Sequence, residues 1–229
     1  MPSNALKGLQ AGLEEVRALR KLSPVRDTLA RGPKASTARA HGRASVVLLS
    51  GHYERYIRAL NEEALAWFKF QDVKSSQVPD EIKLRHSKVT IDKIATASWN
   101  NRKQMLIDFS MNDSLLWDDS ATPALLDHTK VLYMKSPKSE EVKKFFAMYG
   151  IPDIFAKATR KTHRRSHLWL KLQEMVDKRN NIAHGDFTTE ALPSEIMSYI
   201  DSVGKFCETA DRVFSAELKR IAKSSLKPW

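Results

Sequence analysis

Hydrophobic residues recur at helical spacing over most of the chain. From Ala5 to Leu22, leucine and valine return every three or four positions between charged residues, which predicts an amphipathic helix. A nearly unbroken apolar stripe from Val46 to Phe68 predicts a helix of the core. The same spacing predicts a last long helix from Pro193 to Ile221. The pattern therefore predicts an all-α fold, an antiparallel helical bundle with an additional N-terminal helix.

The middle of the chain carries weaker signals. Pro79–Glu81 is typical of a helix start, and a helical region with one apolar side is expected over about Thr90–Ile107. The run Ser136–Glu141 has the serine, proline and acidic residues that begin a helix. Residues 110–136 have no consistent pattern, and Val131–Met134 within them fits either a short strand or a helix end.

The charge balance narrows the class of partner. The 229 residues include 38 Lys and Arg against 27 Asp and Glu, a net charge of +11. With 42% hydrophobic and 28% charged residues, the composition is that of an ordinary globular protein. The basic excess favours a polyanionic partner, with nucleic acid ahead of an anionic membrane surface or an acidic protein.

Composition also divides the chain. Ser23–Gly42 is rich in Pro, Gly, Ser, Thr, Ala and basic residues, which is typical of a linker. We therefore expect an N-terminal helix with a basic linker over residues 1–43 and one helical domain over residues 44–229. The basic residues of the linker fit a mobile connector slightly better than a nucleic-acid-binding arm.

Several kinds of site and compartment are disfavoured. The single cysteine, Cys207, cannot form an internal disulfide, and no apolar run approaches the ~20 residues of a membrane span, so a cytoplasmic protein without membrane contact is expected. His163 and His167 stand four positions apart, as metal ligands on a helix can. The arginines and lysines around them would repel a cation, so we expect no metal and no cofactor.

Candidate chemistry lies in Lys178–Asp186, at the end of a helical run. It contains Arg179 and His184, five positions apart. An arginine is permanently charged and suits phosphate, whereas a histidine can give or take a proton near neutral pH. RNA can be cleaved without a metal because its 2′-hydroxyl is the nucleophile. His184 suits the proton transfer, Arg179 the phosphoryl charge, and Asn180 or Asn181 a supporting hydrogen bond. The same residues are also typical of an ordinary helix C-terminus, where basic residues complement the dipole and Asn and Gly cap the end.

Geometry complicates this interpretation. On a regular helix Arg179 and His184 point ~140° apart, so they could not readily share one phosphate. The helix could end near Ile182, with Gly185 terminating it and His184 turning back, or a bulge could overwind the last turn. In addition, a two-fold dimer could join two copies into a composite site with two arginines and two histidines.

The motif resembles that of a known family. Arg179–Gly185 is similar to the signature of the HEPN superfamily, in which an arginine, a polar residue and a histidine follow at this spacing. Leu172–Lys178 and Leu48–Ile57 resemble the helices that carry these motifs in the RiboL-PSP-HEPN branch of toxin and defence loci. The resemblance covers about Ser45–Ile221 and leaves the first helix unexplained.

The resemblance implies an all-helical, usually dimeric, metal-independent endoribonuclease. Arg179 and His184 then match the catalytic pair, Asn180 the polar residue after the arginine, and Glu54 an acidic position of the second helix. Taken alone, Glu54 and its polar neighbours fit a solvent-facing surface. An antitoxin or defence partner is also implied. Some members keep the fold without activity, so a non-catalytic module that binds RNA or a protein is the alternative.

A dense basic run precedes the motif and is the predicted RNA-backbone contact. A solvated helix face is a comparable explanation. The predicted RNA-binding residues are Lys157, Arg160, Lys161, Arg164, Arg165 and Lys178.

Overall fold

A computed structural model describes residues 1–22, 33–120, 126–131 and 134–229. Within these residues the chain is helical and contains no strand, so the all-α prediction is confirmed. No helix in this part of the chain combines the length and the hydrophobicity needed to cross a membrane. The α-helices are α1 (Asn4–Lys21), α2 (Pro33–Phe70), α3 (Asp80–Thr96), α4 (Trp99–Asp108), α5 (His128–Val131), α6 (Ser139–Met148), α7 (Ile154–Ala158), α8 (Thr162–Ala183) and α9 (Pro193–Ile221).

The chain divides into two compact units. The first unit comprises Met1–Leu60, Lys135–Lys143 and Asp153–Val213, and the second comprises Asn61–Met134, Lys144–Pro152 and Phe214–Trp229. The predicted motif, the basic run before it and Glu54 all belong to the first unit.

The predicted linker was wrong over its second half, because α2 begins at Pro33. Proline suits the first turn of a helix, where its missing N–H leaves no bond unmade. A Cβ added at Gly42 would lie 2.5 Å from the carbonyl oxygen of Ala191, so this glycine permits close packing rather than flexibility. The first half of the linker, residues 23–32, lies outside the described residues. The division at residue 43 stays a prediction, and it falls inside α2.

The core of the first unit follows the predicted stripes. The stripe residues of α2 in this unit are buried, and so is Cys207 on α9; those of α2 are Val46, Leu49, Tyr53, Tyr56, Ile57 and Leu60. Helix α1 joins this core: Ser3 accepts the Leu6 N–H as its N-cap, and the Ser3 N–H donates to Asp211 at 3.3 Å. The helix that the resemblance left unexplained is therefore an integral part of this unit.

The second unit departs further from the sequence predictions. The helical region expected over Thr90–Ile107 is divided between α3 and α4, which are separated at Ala97 and Ser98. Its predicted apolar side is buried only in part: Ile94 is buried, whereas Ile91 is 49% exposed and Trp99 81% exposed. Helix α4 has no buried residue at all.

The described part of residues 110–136 contains short irregular helices. A π-helical turn at Phe109–Asp113 leads into a 3₁₀ turn at Ser114–Trp117, and α5 follows. The strand or helix end predicted at Val131–Met134 falls partly on residues 132–133, which lie outside the described residues. The next helix, α6, begins at Ser139 rather than at Ser136. The Ser139 hydroxyl donates to the Trp169 carbonyl at 2.9 Å, which ties the start of α6 to α8.

Candidate functional site

The motif lies at the C-terminal end of α8, a surface helix that is anchored by its middle. Only Leu172, Met175 and Val176 of its 22 residues are buried. Gly185 follows the helix with a φ of +86°, a left-handed conformation that favours glycine. The Gly185 N–H donates to Ile182 at 3.1 Å and the Asp186 N–H to Asn181 at 3.0 Å. These two bonds form a Schellman motif, so the predicted role of Gly185 as the helix terminator is confirmed.

His184 itself is still part of the last helical turn. Its N–H donates to the Asn180 carbonyl at 2.9 Å, and its φ and ψ are −85° and 8°. The chain therefore reverses after His184 and not before it. Helix α8, all of whose residues are described, is also α-helical throughout, without a bulge. Two changes of the backbone were considered from the sequence as ways to bring Arg179 and His184 to the same side of the helix within one subunit. Neither change is present.

Arg179 is held by a residue from another helix. One guanidinium nitrogen, Nη2, lies 3.8 Å from Oε2 of Glu54 on α2, and Nη1 donates to Oδ1 of Asn180 at 3.0 Å. Glu54 is 19% exposed at its side chain, so the solvent-facing interpretation of this residue was wrong. The structure brings three of the four predicted catalytic residues into direct contact.

Arg58 completes the cluster and was missed by the sequence analysis. Its Nε and Nη2 donate to Oε1 of Glu54 at 3.1 and 2.8 Å. The spacing of four residues between Glu54 and Arg58 on one helix is a signal that could have found it. Two arginines around one carboxylate leave a net charge of +1. Because a guanidinium has five N–H donors, Arg179 keeps donors for a phosphate after these contacts.

His184 stands apart from this cluster. Its side chain is exposed, and within the described residues nothing forms a hydrogen bond or ion pair with its imidazole. An exposed histidine at a helix end is accessible to a substrate, but the structure does not join it to Arg179, Asn180 or Glu54.

Comparison with models of protein families shows which family the chain belongs to. The model of the RiboL-PSP-HEPN family matches residues 13–216. The chain belongs to the HEPN family. Membership supports a role as a ribonuclease or an RNA-binding protein. Comparisons with curated proteins and with solved structures found no match.

The basic run of this HEPN protein lies at the opposite end of α8 from the motif. Arg164 and Arg165 are in the first helical turn, and Lys157, Arg160 and Lys161 precede it. All of them are exposed except Arg165, which is half-buried. At ~1.5 Å per residue, α8 separates the two ends by about 30 Å. An RNA that contacts both must therefore span several nucleotides along the helix.

Lys178, unlike the exposed cations of the predicted RNA-binding set, is paired within the fold. Its ammonium donates to both carboxylate oxygens of Glu195 at 2.8 Å and to the Glu190 carbonyl at 3.2 Å. Glu195 also accepts the Leu192 N–H at 2.9 Å at the start of α9. Because its charge is already paired, Lys178 ties α8 to α9, and we expect it to contribute little to RNA binding.

Proposed function

We propose that this HEPN protein is a metal-independent endoribonuclease that acts as a toxin or an anti-phage defence effector. The observation that carries the proposal is an exposed histidine five residues beyond an arginine whose guanidinium is anchored by Glu54 and Asn180. The family provides the context, since HEPN domains are often ribonucleases.

The reaction assigns a role to each residue. The RNA 2′-hydroxyl loses its proton and its oxygen attacks the adjacent phosphorus, while the bond to the 5′-oxygen breaks and that oxygen gains a proton. His184 transfers protons, and Arg179 donates hydrogen bonds to the phosphoryl oxygens as their charge grows. Asn180 and Glu54 position the guanidinium. The products carry a 2′,3′-cyclic phosphate and a 5′-hydroxyl.

A homodimer with a composite site supplies what one copy lacks. One histidine cannot remove a proton and deliver another in the same step, whereas two copies provide a base and an acid. An apolar groove beside the motif, formed in part by Val47, Leu48 and Ile182, is a surface on which a second copy could pack. In the proposed dimer, a two-fold axis at this surface brings the two motifs together, so that both copies of Arg179 and His184 act on one phosphate.

The test is cleavage in the presence of EDTA. Purified wild-type protein and His184→Ala are incubated with end-labelled RNA, and the product ends are identified. We expect cleavage by the wild type alone, with cyclic-phosphate and 5′-hydroxyl ends. Full activity in His184→Ala, or loss of wild-type activity in EDTA, would contradict the proposal. Circular dichroism of both proteins checks that the variant is folded.

A non-catalytic RNA-binding module is the second candidate, and the exposed basic run is the observation that favours it. It predicts salt-dependent retention of RNA and no cleavage under any condition. The same incubation separates the candidates, because intact RNA that remains bound supports only the second.

A further inference from the structure

The loop that follows the motif, residues 185–192, is fixed by hydrogen bonds to α2 and to α8. The Asp186 carboxylate accepts the Thr188 N–H at 2.8 Å and the Thr189 hydroxyl at 2.6 Å. Arg43 on α2 donates to the Phe187 carbonyl at 3.1 Å. Lys178 on α8 holds the far end through the Glu190 carbonyl. The backbone around Phe187 is therefore constrained on both sides.

The Phe187 side chain nevertheless lies in solvent. It is 81% exposed, although the backbone around it is pinned. The guanidinium carbon of Arg43 lies 6.0 Å from the ring centroid, within the range of a cation–π contact. An aromatic ring that is positioned by its backbone and left open to solvent is a ready stacking surface.

The ring is also close to the proposed chemistry. Three residue steps separate Phe187 from His184, so at most about 11 Å of extended chain joins them. This span is short enough for one RNA strand to reach both the ring and His184.

We propose that Phe187 is a stacking platform for an RNA base next to the scissile phosphate, with Arg43 as the residue that positions it. The inference rests on the proposed function, since it names how the substrate of that site is held. Stacking tolerates any base because every base has a π-face, so Phe187 places a nucleotide without reading a strict sequence.

The composition of the loop around Phe187 favours a base over a protein surface. The chain neighbours of Phe187, from Gly185 to Thr189, are glycine or polar residues, so Phe187 does not continue into an apolar stretch of the loop. Protein-binding surfaces are usually contiguous apolar patches. The Arg43 guanidinium lies over the ring, and its charge suits a nucleotide that carries phosphate.

Equilibrium binding to uncleavable RNA tests the platform. A fluorescent single-stranded oligonucleotide with 2′-O-methyl riboses is titrated in EDTA against wild type, Phe187→Ala and Phe187→Trp. Phe70→Ala is the matched control, because Phe70 is 72% exposed and belongs to the second unit. We expect Phe187→Ala to weaken binding by about 5- to 150-fold, and the other two variants to bind like the wild type.

An abasic scan of the oligonucleotide then locates the base. Removing one particular base should weaken wild-type binding to a similar extent and should cost Phe187→Ala nothing further. Equal binding by Phe187→Ala and wild type overturns the platform. So does a change of oligomeric state on gel filtration without any base-dependent loss, which would make Phe187 a protein contact instead.

The binding and cleavage experiments distinguish a failure of the nuclease proposal from a failure of the platform. If the wild type never cleaves RNA but the abasic effect is present, the nuclease proposal fails and the platform stands. If the wild type cleaves RNA and the abasic effect is absent, the platform alone is wrong. A wild type that does not bind the oligonucleotide at all also overturns the platform.

Discussion

The two ends of α8 treat their positive charges in opposite ways. At the C-terminal end, Arg179 is paired with Glu54, and Lys178 with Glu195. At the N-terminal end, Lys161 and Arg164 are exposed, and the described residues provide no carboxylate partner for them. Cations near a helix N-terminus oppose the dipole, at ~0.3–1 kcal/mol each. Charge pairing thus distinguishes the cations that build the fold from those left available to a ligand.

The largest effect is expected where one paired cation is also the proposed catalyst. Arg179→Lys keeps the charge but loses the planar set of donors, so the cleavage rate should fall by about 10²- to 10³-fold while the melting temperature changes little. Single-turnover cleavage and thermal melting measure both. A lysine variant that cleaves RNA at the wild-type rate would remove Arg179 from the mechanism.

Substitutions at the N-terminal end of α8 should weaken RNA binding but raise the stability of the fold. Replacing Lys157, Arg160, Lys161 and Arg164 by glutamine should weaken RNA binding and flatten its salt dependence by about 0.7 in slope for each lost phosphate contact. Thermal stability should rise slightly, since cations leave the positive end of the dipole. Titrations at several salt concentrations and thermal melting are the measurements.

The matched control is a variant with four exposed lysines of the second unit replaced. It should leave the salt slope nearly unchanged, and an equal drop in both variants would mean that net charge alone binds RNA. The control positions are Lys69, Lys74, Lys93 and Lys103.

Lys178 tests the other side of the comparison, because it adjoins Arg179 but is paired within the fold. Lys178→Met removes its bonds to Glu195 and should lower the free energy of unfolding by about 2 kcal/mol. The affinity for RNA, measured at 25 °C where the variant is still folded, should change little. Denaturant titration and RNA titration check the two parts, and a large loss of affinity in a folded variant would return Lys178 to the RNA-binding residues.

Gly185 tests whether the helix end depends on its left-handed conformation. Gly185→Ala should cost about 1–2 kcal/mol, because φ is +86° and the added Cβ would meet no atom within 4 Å. Gly51→Ala, in the interior of α2 and equally open, should instead stabilise by about 0.5–1 kcal/mol. Denaturant titrations of the two variants should therefore shift in opposite directions.

The smallest effect is expected on the stability of the fold at low pH, through Asp186. Hydrogen bonds from Thr188 and Thr189 lower the pKa of Asp186 to about 2. A depressed carboxyl pKa stabilises the fold above the unfolded value of ~3.9, and this contribution is lost as the pH falls toward 2. Asp186→Asn should therefore reduce the difference in melting temperature between pH 5 and pH 2. Equal pH dependence in wild type and variant would contradict a stabilising role of the hydrogen bonds from Thr188 and Thr189 to Asp186.

Local signals predicted the long helices well. The stripe of α2 and the bounds of α9 follow from apolar residues at helical spacing, and Gly185 was identified as a terminator by its position after the motif. The same reasoning failed at Pro33–Gly42 and at α3 and α4. In the first case, composition resembled a linker although Gly42 is packed against Ala191. In the second, apolar residues at helical spacing were left exposed.

The candidate site was predicted only in part, for a similar reason. Arg179, His184 and Asn180 lie within one short motif, and their chemistry follows from residue types and spacing. The contact of Glu54 with Arg179, the pairing of Lys178 and the exposure of Phe187 on a fixed loop depend on which helices meet. No spacing along one segment specifies such contacts.

The sequence by itself determined the helical class, the main helices and the chemical character of the motif, because helix periodicity, capping and residue type act within a few positions. The tertiary structure decided which cations are paired and which remain available. It did so because an ion pair forms wherever packing brings α2, α8 and α9 together, irrespective of the distance between their residues along the chain.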